Sequence, residues 1–408
     1  MRKPLPFSAW LTLFSSFCIL AVAFSFGLFS LPVFYPALVR QFAWNRASVA
    51  GGGSIVLLLI GILSPAVGWL ADRYSPRAVL LGGMCVGALG LSLLSLTRSL
   101  GEYYAFCVLL GIGTSAVSIL PTSLLVAPWF SQRRGIAVGF ANAGIGLGGI
   151  APLVATWQIR ERGISGAFLF LAACLAVPFV LALFAVRRPG ERAAPEGRKT
   201  AGRTAPTAGQ LARMPMFWIF GVSLFFAAHA MLAIQQHLVL YLTGQGVGAP
   251  RAALALSIAI WSSAAGKLLS GATCDRFSAR LAMMMSVFYV GLGVAGVLTA
   301  QPASAAIFGA AVIFGLGYGG IFNASPTIIF EYFGTERVGA AMGLLLVFFG
   351  LGTSSGGLLA GYLFDRTHGY TTPFSLDLGL AGVALLLLLM SGRQTRAAAV
   401  RDLQSSAA

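Results

Sequence analysis

Charged residues are scarce in this chain, and their scarcity indicates whether the protein is soluble or lies in a membrane. They make up 9% of the 408 residues, whereas a soluble globular domain carries about 25%. Hydrophobic residues make up 58%. Because so few charges cannot cover a surface that faces water, the apolar surplus must face lipid. The composition therefore excludes a soluble globular protein.

Sequence patterns for catalysis and metal binding are missing as well. There is no H-E-x-x-H and no Walker-type phosphate loop, so we expect neither an enzyme nor a bound cofactor. With 51 glycines in the chain, a chance match to G-x-S-x-G such as Gly352–Gly356 is uninformative. The five cysteines form no C-x-x-C pair, which predicts neither a disulfide framework nor a metal site. The net charge of +16 lies in short clusters between apolar runs, which is unlike the continuous basic face of a nucleic-acid-binding protein.

Apolar runs long enough to cross a bilayer dominate the chain. A spanning helix needs about 20 apolar residues. The first run continues past Ala23 to Leu38, so we expect an uncleaved helix and not a signal peptide. Twelve helices are predicted near 10–36, 48–71, 77–97, 102–127, 134–158, 164–186, 214–243, 252–274, 279–299, 304–330, 338–363 and 371–392.

One long polar stretch divides these helices into two sets of six. The predicted units are a first half (1–186), a flexible linker (187–213), a second half (214–392) and a short tail (393–408). Lys and Arg concentrate in the termini, the linker and alternate loops. The positive-inside rule then predicts a multi-pass protein of the cell membrane with both termini in the cytoplasm.

The two halves carry a repeat. Gly68-Trp-Leu-Ala-Asp72-Arg73 at the end of the second predicted helix recurs as Gly271-Ala-Thr-Cys-Asp275-Arg276 at the end of the eighth. A partial third copy ends in Asp365, at the opposite membrane face. Paired halves of this kind are a common transporter plan, with the solute site at the midplane between them.

The first copy of this repeat resembles the loop signature of the major facilitator superfamily, G-x-L-A-D-R-x-G-R-R/K, with Ser75 and Pro76 departing from it. The resemblance implies an all-α membrane fold of two pseudo-symmetric six-helix bundles. It also implies that the loop residues help to hold one conformation of a carrier. The residues to which we extend this gating role are Gly68, Asp72, Arg73, Arg77, Gly271, Asp275, Arg276, Arg280, Arg133 and Arg134.

A narrower resemblance covers most of the chain. The segment Trp129–Gly144 is similar to the entry into helix 5 of the monocarboxylate transporter and oxalate:formate antiporter group, and His237–Leu242 followed by Gly246 is similar to that group's exit from helix 7. Ser263 stands where the animal members have an aspartate. The resemblance implies a small organic anion as substrate, with proton symport or exchange as the energy source.

Lys267 is the leading candidate for the anion site. It aligns with an arginine that meets the substrate carboxylate in that group. Independently, a charged residue within a spanning helix costs roughly 2.5–3.5 kcal/mol on insertion scales, so a bound anion or a watery cavity should offset it. The alternative is that the Lys267 side chain snorkels towards the membrane surface.

Further polar side chains in apolar runs complete the predicted site. His229, Gln236 and His237 belong to the seventh predicted helix, where a histidine either couples proton movement to transport or serves only as an interior hydrogen-bonding group. Four more polar residues are expected either to hydrogen-bond the substrate or to hydrogen-bond neighbouring helices. They are Ser263, Tyr318, Asn323 and Asn142.

The sequence therefore favours a secondary transporter of mono- or dicarboxylates that works by alternating access. Two alternatives remain: an efflux carrier of amphipathic drugs or metabolites, and a membrane sensor that binds a solute without moving it. The expected partners are the organic anion, protons and the lipid bilayer, and a monomer would suffice.

Overall fold

A computed structural model describes residues 6–126, 128–130, 134–184, 214–333 and 338–406. All the regular structure in these ranges is helical. We number the helices in chain order: α1 Phe7–Phe42, α2 Arg46–Arg73, α3 Pro76–Leu94, α4 Leu100–Val126, α5 Arg134–Leu147, α6 Ile150–Cys174, α7 Ala176–Phe184, α8 Pro215–Gly244, α9 Ala249–Arg276, α10 Ala279–Thr299, α11 Ala306–Phe333, α12 Val338–Thr367 and α13 Thr371–Ser406.

Eleven stretches of the described residues are long and apolar enough to cross a membrane. One of them, Gly139–Phe184, is 46 residues long and covers both the fifth and the sixth predicted helix. Its backbone leaves the helical conformation at Gly163, where φ is 69°. Since one crossing takes about 20 residues, this stretch has the length for two. The predicted count of twelve crossings stays a prediction.

Local sequence sets where the helices start. Ser75 caps α3 by accepting a hydrogen bond from the Ala78 N–H, and Pro76 occupies the first helical position, where its missing N–H is not needed. Ser278 caps α10 in the same way. The departure of Ser75 and Pro76 from the family loop signature thus has a local reason, because together they start a helix.

The repeat in the sequence reappears in the packing. Gly111 of α4 lies against α2, and Gly315 of α11 lies against α9. Gly113 lies against α3, and Gly317 lies against α10. A side chain at any of these positions would collide with the neighbouring helix, so the glycines permit the close approach of helix backbones. Equivalent glycines therefore join equivalent helices before and after the linker.

In the described part of the chain, helices before the linker pack against helices after it at several places. Helix α12 packs along α2, the end of α1 packs against α8, and α9 packs against α5 and α6. A solute site predicted between the halves must be sought along these contacts.

Candidate functional site

A small cavity lies between α1, α2 and α8. Most of its lining is apolar, and its polar groups come from Tyr35, Gln235 and Gln236. The Tyr35 hydroxyl donates a hydrogen bond of 2.9 Å to Oε1 of Gln236. Within the described part of the chain, Nε2 of Gln236 and Oε1 of Gln235 are buried without a hydrogen-bond partner. Because unpaired buried amide groups are costly, this cavity suits a polar solute or water.

The site predicted from the sequence lacks two of these three polar residues. Gln236 was predicted as a site residue, whereas Tyr35 and Gln235 were not. The side chain of Gln235 lies beside the hydroxyl of Tyr318, which brings another predicted residue near the cavity. The sequence could not identify Tyr35 as a site residue, because the hydrogen-bond partner of a tyrosine in an apolar run is known only once the helices are packed.

Lys267 lies on α9 between two packed faces of that helix. Trp261 and Ala264 contact glycines of α5 and of the α5–α6 turn, which places one face towards the first half of the chain. Gly266 contacts Leu316 of α11, which places another face towards the second half. At 100° per residue, Lys267 falls on the edge between these faces. It is half-buried, and no carboxylate of the described residues lies within ion-pair distance.

The other predicted residues near Lys267 differ in their surroundings. The amide nitrogen of Asn323 lies about one helical turn away, 3.5 Å from where a Cβ at Gly271 would be. The Ser263 hydroxyl donates to the Ile260 carbonyl of its own helix at 2.6 Å, so this donor is already paired. Asn142 on α5 is partly exposed and has a buried Oδ1 without a partner among the described residues.

The two predicted histidines of α8 make contacts within the second half of the chain. His229 Nδ1 lies 2.8 Å from the Ser355 hydroxyl of α12, and its Nε2 lies 3.6 Å from Oδ1 of Asp377 on α13. His237 contacts the Tyr370 hydroxyl at 3.0 Å and the Gly357 carbonyl at 2.7 Å. Neither histidine is among the residues that line the cavity.

The arginines of the repeated loops bond within their own halves. Arg77 donates to the carbonyls of Ala182, at 3.1 Å, and Leu183 at the end of α7. Arg280 donates to the carbonyls of Leu388 and Leu389 on α13, at 2.8 and 3.0 Å. The matched pattern shows that each arginine ties down the last helix of its half.

The remaining gating candidates, at the same end of the molecule as Arg77 and Arg280, are exposed or partly exposed where the structure describes them. Asp275, Arg276 and Arg73 are exposed, and Gly68 and Gly271 are partly exposed. Arg133 and the side chains of Asp72 and Arg134 lie outside the described residues.

At the opposite end of the helices, Asp365 joins α12 to α2. Its Oδ1 accepts a hydrogen bond from the Arg46 backbone N–H at 3.1 Å, and its Oδ2 accepts one from the Ala47 N–H at 2.9 Å. The first N–H groups of a helix have no partner inside the helix and carry partial positive charge, so a carboxylate there is favourable. The Arg46 side chain bonds the Leu240 carbonyl of α8 at 3.3 Å and lies over the Phe364 ring. We call this cluster the Asp365 latch.

The described residues form eleven apolar stretches that could span a membrane, an interior cavity and a latch between the halves of the chain, which is an architecture suited to a membrane transporter. Comparison with known proteins agrees. The family model of the Major Facilitator Superfamily matches residues 17–329 and 246–407, and the chain belongs to that family. The protein is accordingly a multi-pass membrane transporter and not an enzyme.

Three characterised relatives illustrate the range of this similarity. The chain is 30% identical to monocarboxylate transporter 13 of Rattus norvegicus over 385 residues, which is 93% of this chain and 88% of the relative. It is 26% identical to the oxalate:formate antiporter of Oxalobacter formigenes over 66% of this chain and 65% of the relative. It is 27% identical to an agnestins efflux protein of Paecilomyces divaricatus over 69% and 63%.

Among solved structures, a bacterial homologue of the lysosomal transporter Spinster, in an inward-facing and occupied conformation, matches with a TM-score of 0.76. It is 14% identical, and the match covers 96% of this chain and 98% of that one. This likeness supports the fold.

Proposed function

We propose that the protein is a secondary active transporter that moves a small organic anion, a mono- or dicarboxylate, by alternating access with proton symport or exchange. The observation that carries this proposal is Lys267, a half-buried cation with no acidic partner among the described residues. A carboxylate substrate supplies the missing negative charge. The relatedness to monocarboxylate transporters and to an oxalate:formate antiporter supports the same substrate class.

The polar groups of the cavity and of α11 suit this role. The unpaired Nε2 of Gln236 can donate a hydrogen bond to an oxygen of an anion, and the unpaired Oε1 of Gln235 can accept one from hydration water. Asn323, beside Gly271, extends the polar surface near Lys267. A lysine binds as a point charge, whereas an arginine offers a planar pair of donors, so we expect a broader choice of carboxylates than an arginine would allow.

Alternating access is supported by the unequal ends of the molecule. The Asp365 latch closes one end by linking α12 to α2. Among the described residues of the other end, Asp275 and Arg276 are exposed, and Arg77 and Arg280 bond inside their own halves. This arrangement suits a carrier whose latched end is closed and whose other end is free to open.

We also propose the topology that the sequence predicts. Twelve crossings result if Gly139–Phe184 crosses twice, with its break at Gly163. Both termini and the linker 187–213 then lie in the cytoplasm, and the Asp365 latch faces outward. Residues 1–186 and 214–392 would form the two bundles, followed by the tail 393–408.

The test is uptake of a panel of labelled carboxylates, including formate, oxalate and lactate, into proteoliposomes with and without an inward proton gradient. We expect saturable uptake of at least one acid. Lys267→Ala should abolish it, while Lys267→Arg, which keeps the charge, should retain part of it. Arg251→Gln removes an exposed charge from the other end of the same helix and is the matched control. Wild-type uptake by Lys267→Ala would refute the assignment of the anion site.

Efflux is the second candidate, because a fungal efflux protein is among the relatives. In that case labelled hydrophobic cations, and not carboxylates, should be moved, and Lys267→Ala should leave their transport intact. A protein that binds an acid saturably without any flux would instead be a sensor.

A further inference from the structure

The second half of the chain contains a buried carboxylate that the proposed anion site does not use. Asp377 lies on α13, six residues after its start, and its residue exposure is 1%. Oδ2 of Asp377 has no hydrogen-bond partner among the described residues. An intramembrane acidic residue is expensive and usually has a function. The sequence pattern contained this signal, because Asp377 interrupts the last predicted apolar run.

His229 lies beside Asp377, and Ser355 contacts His229 from a third helix. His229 Nε2 lies 3.6 Å from Oδ1 of Asp377, and His229 Nδ1 lies 2.8 Å from the Ser355 hydroxyl. His229 is itself 3% exposed. The serine contact orients the imidazole so that its second nitrogen points at the carboxylate. Three helices, α8, α12 and α13, therefore meet at one titratable pair.

No other titratable group of the described residues compensates this pair. Helix α10 also packs against α13, but its Arg280 bonds the carbonyls of Leu388 and Leu389, about 16 Å along α13 from Asp377 at 1.5 Å per residue. On α12, Asp365 and Arg366 lie at the far end of the helix, and Ser355 does not titrate near neutral pH. The net charge of the pair therefore changes when it binds or releases a proton, and no neighbouring charged residue of the described part of the chain balances it.

We propose that His229 and Asp377 form a proton-binding site that is loaded and unloaded during the transport cycle. With a neutral imidazole and an ionised carboxylate the pair carries one negative charge. Addition of one proton from water makes the pair neutral, as a carboxylic acid beside an imidazole. Release of the same proton restores the negative charge. A net charge is costly in the membrane interior, so the two states should prefer different packing of the three helices.

The position of the pair links it to the rest of the carrier. Helix α8 carries His229 and, about two turns further on, the cavity residues Gln235 and Gln236. Helix α12 carries Ser355 and, about 15 Å further along at 1.5 Å per residue, the latch residue Asp365. A change of packing at the pair therefore acts on helices that line the cavity and close one end. This coupling rests on the proposed transport function, whereas proton binding itself does not.

Infrared spectroscopy tests proton binding without any knowledge of the substrate. The full chain, reconstituted in lipid, is titrated with pH while the carbonyl band of protonated carboxyl groups is recorded. Because the chain has 11 Asp and Glu residues, the Asp377 component of the band is taken as the difference between the wild-type and Asp377→Asn spectra. We expect this component to grow as the pH falls and to move in frequency in Asp377→Glu. The titration midpoint should shift in His229→Gln. Glu161→Gln removes an exposed carboxyl and should leave this component unchanged.

Two results would overturn the proposal. One is a carboxyl band that stays constant across the pH range, which would make Asp377 a permanently neutral structural group. The other is a pH titration of the carboxyl bands that is the same in Asp377→Asn as in the wild type. The Asp377→Glu variant shows whether the fold tolerates changes at this position, since it keeps an acid there.

A transport measurement then separates this proposal from the wider function. Asp377→Asn should lose accumulation of a labelled carboxylate driven by a proton gradient, but keep exchange of the same acid at equal pH. If the wild type moves no carboxylate while the infrared band still depends on Asp377, the substrate assignment fails and the proton site stands. If Asp377→Asn accumulates the acid as the wild type does, coupling through this pair is refuted.

Discussion

Replacement of Asp365 by asparagine should open the latched end of the protein more often. The carboxylate accepts two backbone hydrogen bonds from the start of α2, at 3.1 and 2.9 Å. A hydrogen bond to a charged group is roughly twice as strong as a neutral one, whose net contribution is about 1 kcal/mol. Loss of the charge at both bonds therefore costs about 2 kcal/mol, which the partial exposure of Asp365 reduces to about 1–2 kcal/mol.

This free energy stabilises only the conformation in which α2 and α12 touch. Asp365→Asn should therefore raise the population of the open conformation by roughly 5- to 30-fold. Because the asparagine keeps the size of the side chain, the effect reports the loss of the charge and of one acceptor oxygen, and not a cavity. A change to alanine should open this end at least as far.

The population can be read from the labelling rate of a cysteine placed in the cavity. Leu57→Cys lies among the cavity-lining residues, and a membrane-impermeant maleimide added outside cells reaches it only when the latched end opens. The same protein without Leu57→Cys gives the background from the five native cysteines. Arg366→Gln, which removes the adjacent exposed charge, is the matched control and should label at the wild-type rate. Equal labelling of Asp365→Asn and wild type would refute the latch.

Two further predictions concern the packing on which the site depends. Gly319→Ala should sharply reduce the yield of monodisperse protein in size-exclusion chromatography, because its Cβ would meet the backbone of Ser263, and overpacking costs about 1–3 kcal/mol. Gly309→Ala on the same helix meets nothing within 4 Å and should leave the yield unchanged. Tyr35→Phe deprives Gln236 Oε1 of its donor, so thermal unfolding should show a loss of about 1–3 kcal/mol. An unaltered melting temperature for Tyr35→Phe would mean that water already serves this group.

Several properties of this protein follow from the sequence alone. Its shortage of charge and its long apolar runs require a membrane protein, because a helix satisfies its own backbone in lipid without any tertiary contact. The copies at Gly68 and Gly271 reveal the repeat, and the family model confirms the family that their pattern resembles. Lys267 stands out because an ionised residue in an apolar run is costly wherever its neighbours lie.

Other properties depend on which helices meet. Asp365 links α12 to α2 because the packing brings its carboxylate to the first N–H groups of α2. Asp377 has a titratable neighbour because α8 places His229 beside it. His229 and Gln236 were predicted to share a site, yet His229 turns to α12 and α13 while Gln236 turns to Tyr35. Periodicity gives the face of a helix but not the identity of the helix that covers it. The apolar pattern therefore determined that this chain spans a membrane, whereas the tertiary structure decided which of its few polar groups are paired and which remain for a solute or a proton.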